Sequence, residues 1–272
     1  MEQVIREAHA HICISENGFH SIQVESKEEI DFVLEIDENI NASIFLTYIG
    51  TCMKVKGCIR VGKNAQARIL CWNKVQQSFV CEQEIDMKAA AEATIAYGEL
   101  EENDAQYDIY AKLKEQGSTL SISSATLSAS KKHFQVQCIH EVAHTSSHME
   151  HYAVVKENGD YCMKATGKVE KGAYESATHQ ITRVLTLAEK QKSEVVPLLF
   201  IDENDVKASH ATSLGQPDEN QLYYLQTRGL SREQALGLLM IGYIMPMKDI
   251  IQQEELQEKL QSEIEMKVGL YV

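Results

Sequence analysis

Proline and glycine are scarce in this 272-residue sequence, with 3 and 14 copies. That scarcity excludes a proline-rich spacer and a glycine-rich flexible region. No apolar run approaches the roughly 18 residues that cross a bilayer, and the first residues lack the basic and apolar stretches of a secretory leader. The seven cysteines are odd in number and form no CxxC pair, which favours reduced thiols. We therefore expect a cytoplasmic protein without a membrane anchor.

Basic residues are also in deficit, because 26 Lys and Arg face 40 Asp and Glu, a formal net charge of −14. A protein that binds nucleic acid or an anionic membrane needs a local excess of cations, so neither partner is expected. The sequence contains neither a GxGxxG nor a GxxxxGK[ST] loop, so we expect no nucleotide in this chain. The GxSxG elbow of the α/β-hydrolases is absent as well.

Short apolar runs with a period of two fill the chain up to about residue 217. Clear examples are Ile12 with Ile14, Ile22 with Val24, and Phe134 with Val136 and Cys138. This spacing puts alternate side chains on one face of a strand, and helical patterns do not intervene. The pattern predicts a mainly β core over residues 1–217, as a sandwich, a barrel or a solenoid. The Ala-rich segment 86–96 is compatible with a helix or a strand.

The pattern becomes helical after residue 217, which predicts a C-terminal helical domain over residues 218–272. Asp218 is placed to cap a first helix, and Gly229 to end it. Ser231 and Gln234 have the spacing of a capping box at the start of a second helix. A third helix follows Pro246, and its apolar side chains recur every four residues, at 256, 260, 264 and 268.

The stretch His140-Glu141-Val142-Ala143-His144 matches the HExxH motif of zinc peptidases. On a helix, this spacing puts both imidazoles on one face to bind zinc, with the Glu as general base. The preceding residues alternate as in a strand, however, and the following Thr-Ser-Ser run is poor helix material. We therefore favour a structural role for these histidines and keep a zinc metallopeptidase as an alternative.

The most informative segment runs from Asp202 to Ser231. The residues that carry a family pattern within it are Asp205-Val206-Lys207, Ser209-His210, Gly215, Tyr224-Leu225 and Arg228-Gly229. Upstream, Gln180-Ile181-Thr182-Arg183-Val184-Leu185-Thr186-Leu187 fits a second strand motif of the same family. Together these motifs resemble the SufB/SufD family of the SUF iron–sulphur cluster assembly system, as a short, core-only member.

The resemblance implies a right-handed parallel β-helix core with a C-terminal α-helical tail. It also implies His210 as an iron or cluster ligand for a transient iron–sulphur cluster, with Lys207 and Ser209 orienting the ring or holding an anionic intermediate. A cysteine-based site is not expected, because SufB has a cysteine in the strand that residues 180–183 match, and none lies there. Ala211 also stands where SufB has a Glu, so the chain is SufD-like.

The same resemblance implies partners. An ABC-type ATPase similar to SufC is expected to dock on the helical tail, and the partner across the core is a second copy (a homodimer) or a SufB-like homologue. The candidate docking residues are Tyr223, Tyr224, Leu225, Ile241 and Tyr243. The predicted function is a non-catalytic subunit that couples the ATPase to cluster formation. A purely structural adaptor that binds the ATPase without touching iron is the other non-enzymatic alternative.

Overall fold

The computed structural model describes residues 2–26 and 29–269, which form fifteen β-strands, three α-helices and one short 3-10 helix. The strands are β1 Glu2–Ile5, β2 His9–Ile14, β3 Gly18–Glu25, β4 Glu29–Ile36, β5 Asn41–Val61, β6 Gln66–Met87, β7 Glu92–Glu99, β8 Asp104–Leu113, β9 Thr119–Ser128, β10 Lys131–His140, β11 Ser146–Val155, β12 Asp160–Val169, β13 Ser176–Thr186, β14 Lys192–Ile201 and β15 Val206–Gly215. The helices are α1 Glu219–Thr227, α2 Arg232–Ile244, the 3-10 helix Met245–Ile250, and α3 Glu254–Val268.

The strands form two parallel stacks that the chain visits alternately. From the middle of the molecule onward, β6, β8, β10, β12 and β14 follow one another in the first stack, and β7, β9, β11, β13 and β15 in the second. Every strand pairing is parallel, and the chain winds through about seven turns. The structure is therefore a parallel β-solenoid with a helical tail, as predicted.

The core lies between the two stacks and follows from the alternation in the sequence. In β4, Ile30, Phe32, Leu34 and Ile36 are buried, whereas the residues between them reach the surface. Large aromatic side chains stack from turn to turn inside the core, with neighbouring centroids 4.5–6.3 Å apart. They are Tyr48, Phe79, Tyr107, Phe134 and Tyr161.

Two strands are much longer than the short runs that the sequence predicts. β5 and β6 continue around a corner, so that the first part of each lies in one stack and the second part in the other. The register of β5 shifts between Gly50 and Cys52, and a Cβ at Gly50 would lie 2.4 Å from the carbonyl oxygen of Ser26. Only glycine allows this close approach at the bend. The Ala-rich segment 86–96 contains the end of β6, a turn and the start of β7, so its strand interpretation is correct.

A column of residues with left-handed backbone marks the corner at which the chain returns to the second stack. Asn39, Asn64, Ala90, Gly117, His144 and Glu175 have φ between 53° and 78°. The backbone N–H of each corner residue donates to a carbonyl of the next turn, as from Asn39 to Lys63 and from Ala90 to Gln116. The corner is thus held by the stacking of turns, because only some of these residues favour a left-handed conformation.

A fully buried ion pair joins neighbouring turns at another corner. The Nζ of Lys132 lies 2.9 Å from Oε1 of Glu99, and neither side chain is exposed. The other oxygen of Glu99 accepts hydrogen bonds from Asn73, at 2.6 Å, and from the Tyr107 hydroxyl, at 2.8 Å. Lys132 also donates to the backbone and side-chain oxygens of Asn103. Every charge in this cluster therefore has polar partners, as burial requires.

The tail helices begin as the sequence predicts. The carboxylate of Asp218 accepts from the N–H of Asn220, and Ser231 with Gln234 forms a complete capping box. Pro246 lies in the 3-10 helix, where its missing N–H removes no helical bond. The tail folds back over the outer face of the second stack and shares one apolar cluster with it, so the division at residue 217 stays a prediction. In the described ranges no helix is both long and apolar enough to cross a membrane.

Candidate functional site

His210 lies in β15, the last strand of its stack. Its register partner in β13 is Gln180, and the inward side chains of β13 are buried while the whole of β15 from Lys207 onward is exposed. Because register partners in parallel strands face the same side of a sheet, His210 is on the inner face of the last turn. No further described strand covers it. His210 thus stands at the open end of the solenoid.

Lys207 and Ser209 lie on the opposite face of β15, because side chains alternate along a strand. The hydroxyl of Ser209 is 2.8 Å from Nδ1 of His179, on the outer surface of the neighbouring strand. The structure therefore does not bring these two side chains to His210. The expectation that they orient its ring is not supported by this geometry.

The side chain that does adjoin His210 is Gln180, to which the sequence analysis gave no role. It is 2% exposed, and its Nε2 donates to the carbonyl of Leu198 in β14, at 2.9 Å. Gly167 leaves room for it, since a Cβ there would lie 3.1 Å from Nε2. Its Oε1 is buried and has no hydrogen-bond partner in the described part of the chain. The amide is fixed, with a free acceptor at the open end.

The open end is apolar around this polar pair. β14 carries Val195-Val196-Pro197-Leu198-Leu199-Phe200-Ile201, which is apolar on both faces, a composition typical of a strand that is covered on both sides. Here it is only partly buried, and Phe200 is 52% exposed. Leu214 of β15 is 47% exposed. Exposed apolar strands at a sheet edge are surfaces on which a partner chain pairs.

The HExxH stretch does not form the helix that a zinc site requires. His140 ends β10, and His144 occupies the left-handed corner position with φ of 57°. The two ring nitrogens of His140 are engaged by the hydroxyls of Thr145, at 2.7 Å, and Ser147, at 2.8 Å. Burial lowers the pKa of His140 to about 4, so the ring is neutral. The zinc peptidase alternative therefore lacks the geometry of its motif.

Three of the seven cysteines are unsuited to hold a cluster where they lie. Cys71, Cys81 and Cys138 are buried in the core, and burial raises the pKa of Cys71 and Cys138 to about 12. A buried neutral thiol behaves as a small apolar side chain rather than as a ligand. Over residues 2–26 and 29–269, no three His, Cys, Asp or Glu side chains form a metal-binding group.

The five predicted docking residues fall into two groups. Tyr223 and Tyr224 of α1 are 70% and 56% exposed, and Leu225 beside them is partly buried. Ile241 and Tyr243 of α2 instead pack against the apolar cluster beneath the tail. Tyr243 meets the ring of Tyr152 edge-on, with centroids 6.2 Å apart. Exposed Leu238, 45% accessible, adds to the free surface of the tail.

Comparisons with known proteins identify the same family that the sequence motifs resemble. The family described as SUF system FeS cluster assembly, SufBD core domain, matches residues 17–243. The chain is 36% identical over 137 residues to the iron–sulphur cluster assembly protein SufD of Bacillus subtilis, covering 50% of this chain and 31% of that protein. It is 28% identical over 134 residues to a SufBD family protein of Mycobacterium leprae, covering 48% of this chain and 15% of that protein.

A SufBD family protein of Staphylococcus epidermidis is 27% identical over 163 residues, covering 57% of this chain and 34% of that protein. The matches thus span about a third or less of each relative's length. The family match itself covers most of the chain, from the third strand to the second helix. The chain belongs to the SufBD core-domain family of the SUF iron–sulphur cluster assembly system.

Proposed function

We propose that this chain is a non-catalytic, SufD-like assembly subunit in which His210 contributes an imidazole to iron or to a forming iron–sulphur cluster. The observation that supports this most directly is the position of His210, which faces inward from the last strand at an uncovered end of the solenoid. Thiolates suit clusters that stay, whereas imidazole is a ligand from which a cluster can move on. Such a ligand fits an assembly site.

The remaining ligands would come from a partner that covers the open end. The outer edge of β15 presents unpaired backbone groups, and β14 presents apolar side chains on two faces. A second copy of this chain or a SufB-like homologue would bury both features at once. The iron site would then be sheltered between two solenoids, with His210 from this one.

The tail would carry the second partner, an ABC-type ATPase. Exposed aromatic side chains are the usual anchors of protein interfaces, and Tyr223, Tyr224 and Leu238 are the large apolar residues that the tail leaves exposed near its start. The buried part of the tail lies on the solenoid, so a force applied to α1 and α2 would reach the core. This arrangement fits a subunit that transmits ATP-driven motion.

Replacing His210 with Ala is expected to reduce the iron retained after anaerobic reconstitution with iron and sulphide by about tenfold or more. Loss of a residue that only orients a metal ligand lowers metal affinity by about 10–100-fold, and loss of the ligand itself should cost at least as much. Iron and sulphide would be assayed on the assembled protein after gel filtration. His179→Ala, on the outer face of the next strand, is the matched control and should retain iron as the wild type does. Equal iron in His210→Ala would favour the purely structural adaptor.

The double variant Tyr223→Ser/Tyr224→Ser is expected to weaken binding of the ABC-type ATPase by about thirtyfold or more, because anchor residues contribute about 2 kcal/mol or more. Binding would be measured by calorimetry with the purified ATPase. Tyr174→Ser removes another exposed ring, 45% accessible, from a solenoid corner and should leave affinity unchanged. An unchanged affinity in the double variant would place the ATPase on another surface.

A further inference from the structure

The polar interior of the last turns contains one side chain that is buried, fixed and incompletely paired beside His210. Gln180 spans the space between the two stacks, since it belongs to β13 and its amide donates to the Leu198 carbonyl of β14. Its Oε1 has no partner among the residues that the structure describes. A buried acceptor without a donor costs free energy, and a donor that pairs with it in the working site would recover that cost.

The donor that the geometry offers is the imidazole of His210. The two residues are register partners, and neighbouring strands lie about 4.8 Å apart. Both side chains are directed to the inner face, where His210 is the next member of the column above Gln180. The other inward neighbours on β13 are Thr178, whose hydroxyl accepts from Ser147, and Thr182, whose register partner on β15 is Thr212 and not His210.

A neutral imidazole has one N–H and one lone pair, so a ring that gives its lone pair to a metal must donate the N–H elsewhere. Such donation to an outer acceptor fixes the tautomer and the direction of the ring. We infer that Gln180 is the positioning residue of this site: its Oε1 accepts the N–H of His210 when the other ring nitrogen binds iron. This inference rests on the proposed function, and assigns to Gln180 the role that the sequence suggested for Ser209 and Lys207.

The test compares Fe²⁺ binding by the full chain, assembled with the partner that covers its open end and titrated anaerobically, in variants of Gln180. Gln180→Leu removes the acceptor and is expected to weaken Fe²⁺ binding by about 10–100-fold. Gln180→Glu is the conservative variant, because it keeps an acceptor oxygen for His210 on a side chain of the same length; its affinity should stay within about threefold of wild type. Thr182→Val, two residues along the same face, is the matched control and should bind as the wild type does.

A second readout separates positioning from a merely structural role. In the Zn²⁺-loaded chain, where diamagnetic zinc replaces iron, the ¹⁵N shifts of His210 should show one protonated and one metal-bound nitrogen. In Gln180→Leu the N–H signal should exchange faster with water, and Gln180→Met provides the same comparison if the Leu variant does not fold.

The outcomes distinguish this inference from the proposed function. Wild-type Fe²⁺ affinity and unchanged His210 shifts in Gln180→Leu, together with lost binding in His210→Ala, would overturn the inference and leave the proposed iron site standing. Wild-type affinity in His210→Ala would remove the iron site itself, and the role of Gln180 with it.

Discussion

Replacing Lys132 with Met should lower the free energy of unfolding by about 3–5 kcal/mol, the cost of leaving one member of a buried ion pair without its partner. The carboxylate of Glu99 would keep its hydrogen bonds from Asn73 and Tyr107 but would lose its cationic partner at a site with no exposure. Burial lowers the pKa of Lys132, and the charge and hydrogen bond of Glu99 oppose that shift. Urea denaturation followed by circular dichroism measures the loss.

Two comparisons identify the cause. The double variant Glu99→Gln/Lys132→Met removes both charges and should recover part of the lost stability, because no buried charge remains. Lys54→Met breaks a surface pair with Glu82, 2.8 Å apart and about 40% exposed on both sides, and should change stability by about 1 kcal/mol or less. A loss below 1 kcal/mol in Lys132→Met would mean that water reaches the pair.

Trp72→Ala is expected to cost about 3–5 kcal/mol and to loosen the helical tail. The indole, the only one in the chain, is 1% exposed and lies beneath the tail, where its Nε1 donates to Glu263 of α3 at 3.1 Å. Gly98 lies directly under the ring, since a Cβ there would be 2.3 Å from Cε3. Denaturant unfolding would measure the stability, and limited trypsin digestion would detect release of α3 through cleavage at Lys259 and Lys267.

Trp72→Phe keeps most of the apolar contact and loses only the bond to Glu263, so it should cost about 1–3 kcal/mol and leave the tail resistant to trypsin. A Trp72→Ala protein as stable and as resistant as the wild type would show that the tail is held elsewhere. The ion pairs of Lys74 with Glu263, at 2.9 Å, and of Glu101 with Lys267, at 2.7 Å, would then be the next contacts to examine.

The strands and helix ends were predictable because each depends on neighbours in sequence. Alternation at Ile12 and Ile14 and at Phe134 and Val136 marks inward faces, and the capping box at Ser231 uses residues three apart. The repeating turn was not visible, because its length changes: His9 pairs with Asp31, 22 residues on, whereas Asp160 pairs with Lys192, 32 residues on. A repeat of varying length leaves no fixed period in the sequence.

The site was only half predictable for a related reason. A motif resemblance can nominate His210, but the partner of a strand residue is decided by the register of another strand. Gln180 and His210 are 30 residues apart in the sequence, but they are direct register partners in β13 and β15. Ser209 is adjacent in sequence and faces away. The HExxH match misleads in the same manner, since His144 is four residues from His140 yet sits at a corner of the next turn.

The return of the tail across the outer face has a consequence for how the molecule opens. A solenoid whose turns touch only adjacent turns behaves as a one-dimensional chain and frays from its ends. Here Trp72 and Glu263, 191 residues apart, join the middle of the coil to the last helix. A turn beneath the tail cannot separate until its contacts with the tail break. The tail therefore makes the unfolding of these turns cooperative. A force applied to the helices would therefore act on several turns at once.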